Sequence, residues 1–544
     1  MRNKTKELSN KALTTWQQNL LAITSGLLLS LSFLDANYYL FAWVAFIPFL
    51  IAITGASLVR SYCVGLVSGL AFCISTGYWA VDFLMLSKGY DYSLSILWAL
   101  VFWFYCAQIT ALIALLFNWL KLRSCVHEFI LFPLIVVTLY SAFPMLFTVR
   151  LGESQSQFLT AIQAIEFTGV HGLDGIIALS NIMLFRALSL RSKVQLKQAI
   201  MPYALSSIFI ITWFSYGVIS IHKWDENISQ WDTIRLGIVQ PNETPSLESS
   251  KPYAGFSRAY PPEMAMTERL NEAGAEIVIW PEAKYKAYFD QPHVKKAYQN
   301  QLSTFSTSLI FQDIERIDSP IGSALQYNTA LMLNTEGEEL GQYKKMKRIA
   351  FGEYVPLVSD IPVLKTWVED FFGKFLNEMA KGTAPNVFEH QKINIIPLIC
   401  YEVMFPDFVA DAITQTQTEN ALGNILVGLS SNGWFGKTRQ PYQHVNASIL
   451  RAVENRMPLV HAVNNGPSIV ALPNGNVIFT SDDHQAGGYI VDMPYSNLTR
   501  GSFYSRHPLV FVYSIYIGLI LVLISASKTI IRKAIFDYFS VRFK

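Results

Sequence analysis

Apolar residues run in long unbroken stretches over the first 220 or so positions, at about 17–34, 38–57, 61–86, 92–119, 126–148, 160–190 and 199–221, and once more at about 508–527. Each is long enough to cross a hydrocarbon core, which takes roughly 20 helical residues, so the pattern predicts eight spans. Glu166, His171 and Asp174 interrupt the sixth of them. The first stretch does not read as a cleaved signal peptide, because no small-residue site precedes the polar break at Asp35. Between 224 and 506 the period changes. Short β-type runs appear at Ile234–Gln240, Ile277–Trp280, Thr329–Leu333, Ile393–Cys400, Ile425–Ser430 and Leu459–Val463, with helical patterns such as Glu263–Ala273 and Val445–Arg456 between them. Asn474-Gly475 between two apolar triplets predicts a hairpin turn. Strands interleaved with helices predict a layered α/β domain.

Composition agrees with a membrane protein. The chain of 544 residues is 51% hydrophobic and only 15% charged, too apolar for an ordinary soluble enzyme. A formal net charge of +2 gives no reason to expect a nucleic-acid partner. If the N-terminus is cytoplasmic, the inner segments collect Arg2, Lys4, Lys6, Lys11, Arg60, Lys121, Arg123, Arg186, Arg191, Lys193, Lys197, Lys528, Arg532, Lys533, Arg542 and Lys544, and the short outer loops hold only Lys88 and Arg150. That asymmetry predicts the orientation. Three units follow: a transmembrane bundle of about seven spans at 1–223, an outward-facing catalytic domain at 224–506, and a C-terminal span with a basic tail at 507–544.

Of five cysteines, Cys63, Cys73, Cys106 and Cys125 lie in or beside apolar stretches, where a thiol behaves as a small hydrophobe. No CxxC or Cys/His spacing suggests a disulfide framework or a metal. Cys400 is different. It ends the apolar run Ile395–Ile399 and is followed by Tyr401-Glu402. Trp280-Pro281-Glu282 closes another β-type run, and lysines cluster at Lys344, Lys345 and Lys347. A thiol attacks a carbonyl as thiolate, so it needs a base and a cation: Glu282 and Lys345 are the candidates. Taken singly, the three residues also read as a core thiol, a strand-end carboxylate and a solvated lysine.

Together with these motifs, Tyr343-Lys344-Lys345, Phe351-Gly352-Glu353-Tyr354-Val355-Pro356, Trp434-Phe435-Gly436 and Asn464-Asn465-Gly466 make the chain resemble the apolipoprotein N-acyltransferases, membrane members of the nitrilase superfamily. The resemblance covers almost the whole chain. It implies a nitrilase-like αββα sandwich beside the transmembrane helices and a Glu-Lys-Cys triad of Glu282, Lys345 and Cys400. The family lysine lies eight residues before the glutamate of the FGE motif, which selects Lys345 ahead of Glu353. Glu353 and Glu402 are implied as supporting carboxylates, and the backbone N–H of Tyr401 as an oxyanion donor. No cofactor is implied. The implied partners are a membrane phospholipid as acyl donor, a diacylated apolipoprotein as acceptor and the bilayer itself, at the bacterial inner membrane.

Two departures from the family pattern stand out. Ala350 replaces the proline before the FGE motif, and Ser431-Asn432 replaces the Asn-Asp pair before Trp434. His444 and Arg451, on the helix that follows, read as structural. Aromatic residues at helical spacing over Val363–Met379, among them Trp367, Phe371 and Phe372, predict either an interfacial lid or an ordinary core-facing helix. Trp280, Tyr285, Trp434 and Asn465 are further expected substrate or lipid contacts, with Tyr288 and Phe289 following Tyr285. A membrane-tethered amidase and a non-catalytic scaffold of the same fold are the competing readings.

Overall fold

The computed structural model describes residues 13–190, 193–244, 252–282, 285–318, 325–350, 379–391, 393–416, 424–496 and 501–542, with scattered positions between 352 and 367. Among the described residues, seven helical segments are long and apolar enough to cross a membrane: Thr15–Leu34, Ala36–Ile53, Leu58–Thr76, Tyr92–Lys121, Val170–Ser189, Ala199–Ile228 and Val510–Lys528. Local chemistry sets their ends. Thr14 caps the first through a reciprocal pair with Gln17. The Asp91 carboxylate accepts from the N–H groups of Ser93 and Leu94 at 2.9 and 3.1 Å. Close approach then follows from small residues. A Cβ at Gly65 or Gly69 would stand 2.6 or 2.7 Å from the backbone of the Tyr92–Lys121 helix, so only glycine allows the two helices to pack at that distance.

Three of the expected spans are cut. The 61–86 stretch divides into Leu58–Thr76 and Trp79–Lys88 around Gly77. The 160–190 stretch breaks at Gly169, whose φ of +65° no helix accommodates, leaving two short turns and then Val170–Ser189. The 126–148 stretch yields only Glu128–Ala142. At the other end of the bundle the last helix before the α/β unit runs on to Ile228, past the boundary expected at 223.

Twelve strands among the described residues build two sheets: β1 (Asp232–Gln240), β2 (Ile277–Ile279), β3 (Ser308–Ile317), β4 (Leu325–Leu333), β5 (Glu339–Lys344), β6 (Phe388–His390), β7 (Ile393–Ile399), β8 (Ile425–Ser430), β9 (Leu459–Val463), β10 (Ile469–Ala471), β11 (Val477–Thr480) and β12 (Gly487–Tyr495). Their orders are β12-β1-β2-β3-β4-β5 and β11-β10-β9-β8-β7-β6, with parallel pairs at the centre and antiparallel pairs at the edges. The strand period of two divides the first sheet between two cores. Ile277, Ile279, Ile310, Ala330 and Met332 pack in the core shared with the second sheet. Val278, Leu309, Phe311, Leu331 and Leu333 pack outward with Met264, Leu270, Val294, Tyr298 and Leu302 of the helices Pro262–Glu272 and Pro292–Leu302. Helices Pro406–Thr416 and Gln440–Asn455 cover the second sheet. The result is the αββα sandwich. Asn474-Gly475 forms the expected turn between β10 and β11.

The sandwich is moored to the helical bundle by buried polar groups. The Arg456 guanidinium donates to Glu166 Oε1 at 2.7 Å, to the carbonyls of Gln163 and Pro473 at 2.9 and 2.8 Å, to Gln163 Oε1 at 2.8 Å and to Ser220 Oγ at 3.0 Å. Glu454 is paired with Arg451 and accepts from the Val170 N–H at 2.7 Å. Removing one partner of such a buried pair strands the other, at a cost of about 3–5 kcal/mol. Arg456→Met is therefore expected to destabilise the purified protein by about that much, read as a lower thermal unfolding midpoint in detergent. An unchanged midpoint would show that the mooring does not hold the two units together.

Candidate active site

β7 delivers Cys400 to the edge of the second sheet. The strand ends at Ile399, and Cys400 opens a 3-10 turn running to Met404. Its φ of +54° lies in the left-handed region, which a residue with a Cβ enters only under constraint. Glu402 supplies much of that constraint. It is fully buried, and its Oε2 accepts from the Ile399 N–H at 2.8 Å. Its Oε1 accepts from the Met346 and Lys347 N–H groups at 2.7 and 2.9 Å and from the Tyr343 hydroxyl at 2.8 Å. One carboxylate thus ties the end of β7 to the chain leaving β5 in the other sheet. Burial raises the Glu402 pKa, against the opposing pull of these hydrogen bonds and of Lys345.

Lys345 follows β5 and is buried. Its N–H donates to the Asn328 carbonyl at 2.9 Å. Its Nζ lies 2.7 Å from Glu353 Oε1 and 3.9 Å from Glu282 Oε1. Burial alone would favour the neutral amine. The Glu353 and Glu282 carboxylates and Cys400 outweigh it, so the pKa is raised and Lys345 stays an ammonium. Glu353 is itself fixed by the Ile349 N–H on Oε2 at 2.9 Å. Glu282 accepts from Asn328 Nδ2 at 2.7 Å and from the Ser431 N–H at 3.3 Å. The Cys400 thiol is pushed well above its ordinary value by burial, then by Glu282, whose carboxylate also takes its hydrogen bond; Lys345 pulls the other way. The resting group is a neutral thiol beside a carboxylate and an ammonium.

Glu282, Lys345, Glu353 and Cys400 therefore meet in one place, and Glu402 braces it. Tyr401 points away from them. Its hydroxyl accepts from the Thr148 N–H in the helical bundle, and its ring packs edge-on against Phe147 at 5.5 Å. Trp280 also stands apart. It is fully enclosed in the outer core of the first sheet, between Tyr298 and Phe311, with its N–H on Thr267. Tyr288 packs in the same core. Tyr285 is bonded to Asp290, stacks under Arg258 and Arg316, and borders a cavity of about 420 Å³ with Lys286 and Glu263. Trp434 is half-buried; its neighbour Phe435 stacks on Phe83 at 5.3 Å and meets Trp79 edge-on at 5.3 Å. Asn465 donates to Asn242 Oδ1 and the Glu243 carbonyl. Trp367 is 60% exposed, while Phe371 and Phe372 lie outside the described residues.

The sequence did not single out Asn328, and it gave no partner for Ser431 or for His444, which reads there as structural. Asn328 joins Lys345 to Glu282, and Ser431 adds a backbone donor. His444 reaches the Cys400 carbonyl through Nε2 at 3.1 Å. A histidine on the apolar stripe of the helix Gln440–Asn455 was the available signal, but periodicity does not say which backbone group it meets.

Residues 25–183 match the apolipoprotein N-acyltransferase N-terminal domain, and residues 236–500 match carbon-nitrogen hydrolase. An apolipoprotein N-acyltransferase from Geobacter metallireducens is 27% identical over 477 residues, covering 84% of this chain and 86% of that one. One from Bdellovibrio bacteriovorus is 26% identical over 403 residues, 69% of each chain. A mutant amidase of the nitrilase superfamily from Nesterenkonia AN1 aligns with a TM-score of 0.34 at 17% identity, over 49% of this chain and 92% of that one. With the family's N-terminal domain followed by its carbon-nitrogen hydrolase domain, the chain belongs to the apolipoprotein N-acyltransferase family.

Proposed function

We propose that this protein moves an acyl chain from a phospholipid to the α-amino group of the N-terminal diacylglyceryl-cysteine of lipoproteins, through a thioester on Cys400. The observation that carries the reading is the convergence of a thiol, a carboxylate and a permanently charged ammonium in a member of this family. The thiol is neutral at rest, so attack on the phospholipid ester is coupled to proton transfer from Sγ to Glu282. The developing oxyanion is met by the Lys345 ammonium and the Tyr401 N–H. Glu282 returns the proton to the departing lysophospholipid alkoxide. In the second half the lipoprotein amine attacks the thioester, Glu282 takes a proton from nitrogen, and the thiolate leaves and is reprotonated.

Two adjoining apolar clefts favour lipid substrates. One lies among Phe33, Trp79, Phe147, Tyr401, Met404 and His444; the other extends it into the bundle past Phe72 and Phe102. Both substrates carry acyl chains that cost about 0.8 kcal/mol per CH₂ to leave in water, which is a reason for apolar clefts to open beside Tyr401, the residue after the thiol. The charge asymmetry of the loops supports placing the α/β domain on the outer face.

Alkylation of the Cys400 peptide by iodoacetamide, followed by mass spectrometry, is expected to keep rising beyond pH 9, because the folded protein holds this thiol above its ordinary value. A plateau below pH 8 would contradict the resting neutral thiol. Cys400→Ala is expected to abolish transfer, and Lys345→Met to lower it by roughly 10²–10³, the range for losing one oxyanion donor. The decisive readout is the lipoprotein N-terminus by mass spectrometry: an amide-linked third chain supports transfer, whereas free fatty acid alone would make the protein a hydrolase.

A further inference from the structure

The acyl-transfer reading leaves one enclosed ring next to the thiol without a task. His444 is buried on the helix Gln440–Asn455. Nε2 faces the Cys400 carbonyl oxygen at 3.1 Å, and Nδ1 faces the Asn432 amide at 3.0 Å. The titratable and charged groups around it are His461 on β9, edge-on at 4.9 Å, Tyr401 at 6.5 Å, Cys400 and Lys345, with Glu153 of the turn Leu151–Gln155 lining the same cleft.

Donor and acceptor accounting fixes its protons. A carbonyl oxygen only accepts, so Nε2 carries hydrogen. Burial lowers the pKa to about 4; the Cys400 carbonyl opposes this and Lys345 reinforces it. The ring is therefore neutral, and Nδ1 is a bare acceptor. Asn432 presents Oδ1 to it while Nδ2 is buried with no partner. The two ends of an amide have the same shape, and turning this one through 180° gives Nδ1 its donor and pairs the Nδ2 that is otherwise buried without a partner. His461 cannot supply a proton instead. Both of its ring nitrogens are already paired with hydroxyls, Nδ1 with Ser448 Oγ at 2.8 Å and Nε2 with Ser430 Oγ at 2.6 Å.

The consequence reaches the reacting groups through one peptide plane. The Cys400 carbonyl and the Tyr401 N–H belong to the same trans unit and point in opposite directions. Holding the oxygen aims the N–H, and a hydrogen bond to the oxygen also strengthens that N–H as a donor. As the second residue of its 3-10 turn, Tyr401 has an N–H that turn hydrogen bonding does not consume. We propose that Asn432 and His444 are a positioning pair: Asn432 locks the imidazole as the Nε2–H tautomer, and that N–H holds the Cys400 carbonyl so that the Tyr401 amide faces the oxyanion. The inference rests on the acyl-transfer reading and adds to it the residues that set the geometry. It falls on the position where this chain has Asn in place of the family's Asp.

Nitrogen-15 NMR of ring-labelled histidine in the full-length protein in lipid, with His444→Gln to assign the signal, is expected to show the neutral Nε2–H form between pH 6 and 8. An imidazolium or an Nδ1–H tautomer there would overturn the pair. Asn432→Asp keeps the shape but can only accept, so the ring must be charged to retain Nε2–H. Its kcat is expected to fall at least tenfold as pH rises through the elevated His444 pKa, a limb the unaltered enzyme lacks; parallel profiles would overturn the proposal. His444→Leu is expected to lose at least tenfold in kcat with little change in KM, and His444→Gln, which keeps an N–H, to recover part of it. Equal activities in these two variants would count against it. Trapping the acyl-thioester on Cys400 of the unaltered enzyme separates the two readings. If no adduct forms, the acyl-transfer mechanism fails; if it forms and the variants behave like the parent, only the positioning pair fails.

Discussion

The Glu402 carboxylate is bonded to both sheets at once, and the candidate site exists only because it is. Lys345 leaves the first sheet after β5, and Cys400 leaves the second after β7. Neither strand is a hydrogen-bonded neighbour of the other. Sheet-on-sheet packing by apolar side chains brings the strands near, but dispersion is not directional and does not set the relative height of two strand ends. Four donors converging on one buried carboxylate do. The same bonds draw the chain after Cys400 into a 3-10 turn and hold the cysteine in a conformation that its Cβ disfavours. An acid two residues beyond the thiol is thus a brace for the backbone rather than a participant in proton transfer.

The charges around the thiol are balanced in a way that suits the acyl transfer proposed above. Lys345 is held charged by Glu353 at hydrogen-bond distance, and Glu282 stands further off at 3.9 Å, where it faces the sulfur as well. A carboxylate fully committed to the ammonium would be a poor base. Glu353 takes the larger part of that ion pair and leaves Glu282 available, with Asn328 and the Ser431 N–H holding it in place.

The sequence made much of this legible and hid the rest for identifiable reasons. β8 and β9 were visible to the residue, since buried parallel strands are near-continuous apolar runs, broken in β9 only by His461. β12 was not, because its alternating exposure mixes Asp492 and Pro494 into the run. β3 was missed because Gln312, Asp313 and Glu315 break its apolar pattern, although Gln312 and Asp313 are buried. Hydropathy alone could not see that Gly169 breaks the 160–190 stretch. For the site, separations of tens of residues carry no geometric information, and the motifs of the family supplied the pairing of Glu282, Lys345 and Cys400. Trp280 shows the limit of that transfer: a tryptophan beside a motif glutamate is pointed by strand alternation into the opposite core.

Arg456, Glu454 and Tyr401 each belong to the sandwich and each find a necessary partner in the bundle: Glu166 and Gln163, the Val170 N–H, and the Thr148 N–H. A sandwich cut free of its helices would carry a guanidinium, a carboxylate and a phenol shaped for neighbours that had gone. The fusion of the two modules has become a dependence, and the residue immediately after the thiol is one of its points of no return.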